Sequence, residues 1–208
     1  MIIRKATYED IPFLIKGILA IENTGNSNTF SNMFETDYQT TYNYLKQFFL
    51  DEENLNTELS LNVYSVAEVE GETSGFCALI HTDSNYYQNK SELFPIHLKT
   101  EHLNSFIKNV RCLPDTKNHS ENKFFIENIF VNENFRGRGI GKSLIEYQLR
   151  EIQADKAYLN VLQNNIKALR YYKKLDFQEY LIFSIDNPEN KIYPSTQKII
   201  LYKNLKIN

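Results

Sequence analysis

Residues 136–143, Arg-Gly-Arg-Gly-Ile-Gly-Lys-Ser, place three glycines and three cationic side chains in their first seven positions. Glycine has no Cβ, so the chain can turn sharply there and present successive N–H groups to an oxyanion. A helix that opens at such a turn adds the positive end of its dipole. Arg136, Arg138 and Lys142 add formal charge to Gly137, Gly139, Ile140 and Gly141, and the chemistry suggested is the binding of a phosphate or pyrophosphate. Two common phosphate loops fail on spacing. A Walker loop ending in Gly141, Lys142 and Ser143 needs its first glycine at the position of Arg136. The Gly-x-Gly-x-x-Gly dinucleotide fingerprint, started at Gly137, needs its third glycine at Lys142 and belongs in the first strand–helix unit of a parallel sheet. What remains is Arg-x-x-Gly-x-Gly over Arg136, Gly139 and Gly141.

The elements around this loop read as strand before and helix after. KFFIENIFV is apolar except for Glu127 and Asn128, and KSLIEYQLREIQ carries Leu144, Ile145, Leu149 and Ile152 on one helical stripe interrupted by Gln148. A short strand KAYLNVL, a helix NIKALRYYKKLDF and two closing strands QEYLIFSI and QKIILYKNL follow. Upstream, MIIRKAT reads as a first strand and TYEDIPFLIKGILAIEN as a helix with Thr7 at its N-cap and Asp10 three residues on. TGNSNTFSN reads as a loop and TDYQTTYNYLKQFFLDEE as a second helix. LNVYSVAEVEGETSGFCALIHT is a hairpin with Gly71 in its turn. Residues 81–123, with room for one helix in SELFPIHLKTEHLNSFIKNV, read as an insertion within a single domain spanning 1–208.

Two stretches together resemble one family. IFVNENFRGRGIGKSLIEYQL is similar to the acetyl-CoA motif of the GNAT superfamily of N-acetyltransferases, and NIKALRYYKKLDF resembles its second pattern, Asn-x-x-Ala-x-x-x-Tyr-x-x-x-Gly-Phe. Asn165, Ala168, Tyr172 and Phe177 hold the matching positions, while Asp176 stands where the pattern has glycine. Aspartate tolerates the left-handed conformation that ends helices better than most side chains. The resemblance implies a mixed α/β (α+β) fold: a central mixed, mostly antiparallel sheet whose central strands splay apart, flanked by helices.

The resemblance also implies a reaction. Acetyl-CoA would lie between the splayed strands, its pantetheine arm along Ile129, Phe130 and Val131 and its pyrophosphate on Arg136, Gly137, Arg138, Gly139, Ile140, Gly141 and Lys142. Asn165 would bond the cofactor, cap its helix, or do both. Most amines are protonated at neutral pH and must lose a proton before attacking a thioester. Glu127 is the candidate base, with binding of a cationic substrate or pairing with a lysine as its other readings. Tyr172 would protonate or hydrogen-bond the leaving thiolate, and a backbone N–H near Ile129 would hold the oxyanion. Tyr171 would point about 100° away around the helix and serve as a control.

The acceptor is less defined. Glu22, Glu35, Asp37 and Glu127 read either as a negative site for a polyamine, an aminoglycoside or another small amine, or as solvated loop charges. The expected activity is acetylation of a small-molecule primary amine; a protein N-terminus or lysine as acceptor, and a non-catalytic acyl-CoA sensor, are the alternatives. LFPIHL is apolar enough to bury a contact, a homodimer contact included. A formal net charge of −3 with dispersed Lys and Arg gives no reason to expect nucleic acid as a partner. No run approaches the roughly 18 apolar residues of a membrane span, and the start lacks a signal-peptide pattern. Cys77 and Cys112 form no disulfide or metal-ligand spacing, Cys77 in GFCALI reading as a core residue. A cytoplasmic, reduced protein without a metal is the expectation.

Overall fold

A computed structural model of the chain describes residues 1–24, 27–53, 55–113, 117–184, 192, 195 and 197–205. In chain order the elements are β1 (Ile2–Lys5), α1 (Ile11–Ile21), β2 (Asn23–Thr24), β3 (Ser27–Asn28), α2 (Thr29–Phe34), α3 (Tyr38–Leu50), β4 (Tyr64–Val69) and β5 (Glu72–His81). They continue with α4 (Tyr86–His97), α5 (Thr100–Asn109), α6 (Lys117–Ser120), β6 (Phe124–Val131), α7 (Ile140–Arg150), β7 (Lys156–Leu162), α8 (Ile166–Lys174), β8 (Gln178–Ser184) and β9 (Gln197–Asn204). Seven strands form one sheet in the order β1-β4-β5-β6-β7-β9-β8. Every neighbouring pair is antiparallel except β6 and β7, which are parallel and share the single paired position Phe125 with Tyr158.

Helices cover the two faces from different parts of the chain. On one face α1, α3 and α4 pack on β4 and β5 through Leu14, Phe48, Phe94, Tyr64 and Phe76. On the other, α7 packs on β4, β5 and β6, and with α8 it closes a second core around Ile126, Leu144, Leu159 and Leu201. The buried stripe of α1 is the expected one, Ile11, Leu14, Ile15, Ile18 and Leu19. Its entry is fixed where the Thr7 N–H donates to Asp10 Oδ2 at 2.8 Å, a carboxylate also held by Arg4 at 2.7 Å. Gly17 lets α1 approach the sheet, because a Cβ there would lie 2.3 Å from the Phe76 ring. The β4–β5 turn uses Glu70 and Gly71 at φ 57° and 82°, the two positive angles a tight hairpin turn requires.

Two expectations change. The stretch read as a loop contains the β2–β3 ribbon and α2, nucleated by Asn28, whose side chain accepts from the Phe30 N–H at 3.0 Å and donates to the Leu19 carbonyl. Residues 81–123 hold α4, α5 and α6 rather than one helix. Phe94 of α4 stacks on Phe106 of α5 at 4.0 Å, so a second apolar layer grows over α2 and α3. The polar interruption in the α7 stripe also has a cause. Gln148 is buried, and its Nε2 donates to the Cys77 carbonyl at 3.1 Å, on a residue that has no partner position on β6.

Candidate active site

The site begins with an irregularity in β6. Phe76 and Ala78 of β5 face Phe130 and Glu127, so one extra β6 residue is accommodated between those pairs. Such a bulge bends a strand and increases its twist. Asn128 takes the strain at φ 50°, and its Nδ2 donates to the Tyr64 hydroxyl at 2.6 Å. Beyond the bulge β6 has no paired position on β7, and a cleft of about 1250 Å³ opens between them. Ile129, Phe130 and Val131 line one wall of this cleft and Asn160, Val161 and Leu162 the other. Backbone groups leaving a ladder in this way need water or a ligand as partner.

The floor of the cleft is the glycine loop. Gly137 and Gly139 both adopt left-handed angles, φ 80° and 78°, and Gly139 is the N-cap of α7. The first-turn N–H groups of a helix have no partner within it, so Ile140, Gly141 and Lys142 present donors at its positive end. Arg136 swings back to donate from Nε to the Val131 carbonyl at 3.2 Å, tying the loop to the end of β6. Arg136, Gly137, Gly139, Ile140, Gly141 and Lys142 all line the cleft. Arg138 does not; its guanidinium lies 5.2 Å from the centre of the Phe135 ring. Lys142 is also 3.7 Å from Glu146, one turn along the exposed face of α7.

Glu127 is held where the strands part. Asn160 Nδ2 donates to its Oε1 at 2.6 Å. Burial pushes its pKa up to about 7, against the opposing field of Lys198 and the Asn160 hydrogen bond. The Asn160 Oδ1 is itself buried without a partner. Tyr172 reaches the same cleft from α8, and burial, then the Glu127 charge, hold its phenol well above the ordinary tyrosine range. Asn165 caps α8, accepting from the Ala168 N–H at 3.2 Å, and lines the cleft as well. The helix ends at Asp176, which takes the left-handed angle φ 67° expected at the pattern's glycine position.

Two sequence expectations need amendment, and one stands. Tyr171 does not leave the site: it lines the cleft, with its hydroxyl 3.0 Å from where a Cβ on Gly141 would sit. Glu35 and Asp37 are not with Glu22 and Glu127. Glu35 ends α2, bonded by Ser105 at 2.8 Å, and Asp37 is the N-cap of α3, accepting from the Thr40 N–H at 2.9 Å. The Glu35 carboxylate thus joins α2 to α5 and that of Asp37 caps α3, and neither residue lines the cleft. Cys77 is buried and burial lifts its thiol to about 12, which suits a core residue and not a nucleophile. Among the described residues no group of His, Cys, Asp and Glu is arranged to hold a metal ion, and no helix is long and apolar enough to cross a membrane.

Sequence reading missed Asn160 and Lys198. Lys198 enters the cleft from β9, and burial lowers its pKa while Glu127 opposes that shift. The available signal was a lysine in register with Ile200 on an inward-facing strand of QKIILYKNL. Glu22, at the end of α1, and Lys174, at the end of α8, also line the cleft, the Glu22 carboxyl raised by burial.

The family model described as Acetyltransferase (GNAT) family matches residues 27–177, most of the chain. The spermine/spermidine N(1)-acetyltransferase of Bacillus subtilis (strain 168) is 28% identical over 68 residues, which are 31% of this chain and 43% of that protein. The match thus spans less than half of that curated relative. Among solved structures, an N-acetyltransferase from Staphylococcus aureus Mu50 superposes with a TM-score of 0.73 at 18% identity, covering 98% of this chain and all of that one. An agmatine N-acetyltransferase gives 0.57 at 14% identity over 98% of this chain and 99% of its own. At these identities the likeness to solved structures is one of fold.

Proposed function

The chain belongs to the acetyltransferase (GNAT) family, and we propose that within it this protein moves an acetyl group from acetyl-CoA to a primary amine of a small molecule by direct attack. The observation that carries this reading is the placement of Glu127 and Tyr172 in one cleft, where the bulged β6 parts from β7 above a glycine loop suited to pyrophosphate. The unpaired edge at Ile129, Phe130 and Val131 would hold the pantetheine arm like an added strand, and the loop from Arg136 to Lys142 the pyrophosphate. Acetyl-CoA, when bound there, supplies the activated acyl carbon.

The remaining steps belong to this chain. Glu127 takes a proton from the acceptor ammonium, directly or through a water, and Asn160 holds that carboxylate in place. The freed nitrogen bonds to the acyl carbon, and a backbone N–H near Ile129 steadies the negative charge on the carbonyl oxygen. As the carbon–sulfur bond breaks, the Tyr172 hydroxyl donates a hydrogen bond to the departing thiolate, which takes up the second proton released by the nitrogen. Asn165 bonds the cofactor while capping α8.

A small amine as acceptor is supported by the acidic groups Glu22 and Glu127 in the lining, and by the similarity to the Bacillus subtilis spermine/spermidine N(1)-acetyltransferase. The test is free-thiol release from acetyl-CoA with a panel of polyamines, aminoglycosides, amino acids and short peptides, each run beside Tyr172→Phe. Release that requires one small-amine class and falls in the variant supports the reading. Release with peptides alone, or acetyl-CoA binding with no release on any acceptor, removes it.

A further inference from the structure

We infer that Lys198 is a positioning residue for this reaction: delivered by β9 to the face of the sheet that carries Glu127, its ammonium keeps that side chain in the carboxylate form needed to accept the acceptor's proton. The inference rests on the reading of Glu127 as the base. Phe125 pairs with Tyr158, Asn160 with Ile200 and Leu162 with Lys198, so strand alternation puts Phe125, Glu127, Tyr158, Asn160 and Lys198 on one face. Glu127 and Lys198 line the same cleft from β6 and β9, with Asn160 of β7 between them, bonded to the carboxylate. Among the described residues neither has an ion-pair partner within 4.0 Å, so neither charge is neutralised by a direct contact.

Other charged and titratable groups face Glu127, and they largely cancel or carry no charge. Glu58, in the loop before β4, forms an ion pair with Lys90 of α4, so their effects on Glu127 oppose each other. Tyr64 of β4, Tyr86 of α4 and Tyr172 of α8 all have phenols raised by burial and stay neutral. Glu22, beyond α1, acts on Lys198, its own carboxyl held toward the neutral form by burial. Of the charged groups around Glu127, Lys198 is the one that most favours its carboxylate form.

The test follows Glu127 itself in the free protein, by carboxyl-carbon NMR titration with Glu127→Gln providing the assignment, together with kcat/KM against pH. In Lys198→Met the Glu127 midpoint and the ascending limb of kcat/KM should both move up by about one pH unit. Below the limb that is roughly a tenfold loss, with the rate recovering toward that of the unaltered protein at higher pH. Lys198→Arg keeps the charge and should keep both midpoints. An unmoved Glu127 midpoint in folded Lys198→Met, a loss of rate equal at every pH, or an upward shift in Lys198→Arg would overturn the inference. So would an unchanged limb with KM raised only for acceptors that carry an anionic group, since Lys198 would then be reading the substrate. Failure of the underlying reading looks different: the unaltered protein would lack an ascending limb abolished by Glu127→Gln, and both would fall together.

Discussion

Burial raises both Glu127 and Tyr172, and one cause has two different consequences. A carboxylate at about 7 is half available as a base at neutral pH, whereas a phenol pushed upward is a weaker acid that stays neutral and can donate a hydrogen bond to a departing thiolate. kcat/KM should therefore rise with pH through a midpoint near 7, because that quantity reports the free enzyme. Glu127→Gln should abolish the limb and lower the rate by about 10²–10⁴, read by thiol release across pH 5–9. The same shift has a sign for stability. The folded protein binds this proton more tightly than the unfolded chain, so the contribution is present below the ordinary glutamate range and lost as pH rises through about 7. Thermal melts should find Glu127→Gln gaining on the unaltered protein as pH goes from 5 to 8. Tyr172→Phe should lower kcat with little change in KM for acetyl-CoA. Tyr171→Phe, which removes a hydroxyl beside Gly141, should act on acetyl-CoA affinity instead.

At the scale of elements, predictions follow from where the chain had to be glycine or a cap. Gly139→Asp puts a side chain at φ 78° and a negative charge at the phosphate end of α7, so acetyl-CoA binding measured by calorimetry should be lost while the circular dichroism spectrum persists. Gly17→Ala should destabilise by about 1–3 kcal/mol in urea melts, although alanine is the better helix former, because the new methyl collides with Phe76. Most elements were legible because their patterns are local: the α1 stripe, the Glu70–Gly71 turn and the Asn165 cap depend on neighbours within a few residues. The short α2 was hidden, since its start depends on Asn28 bonding back to Leu19. The bulge was illegible for a deeper reason: a slip of register exists only relative to the partner strand. Asn160 and Lys198 share that reason, being brought to Glu127 by pairing between distant strands. Glu35 and Asp37 misled because acidic residues at helix ends look, in sequence, like acidic residues of a pocket.

At the scale of the molecule, the sheet is two half-sheets, β1-β4-β5-β6 and β7-β9-β8, meeting at one paired position. The proposed glycine-loop and strand-edge contacts with acetyl-CoA would exist only in the folded chain, so the melting temperature should rise with its concentration, by about 2.7 kcal/mol of stability at a hundredfold excess over Kd. The single Phe125–Tyr158 pair has a mechanical consequence. With so little stitching, the seam between the half-sheets is a fault line along which each can open as its own cooperative unit. A ligand lying along Ile129–Val131 would act as a zip across that fault. Hydrogen exchange should then find amides of β7 and β9 near the cleft opening independently of β4 and β5 in the free protein, and opening in concert with them once acetyl-CoA is bound.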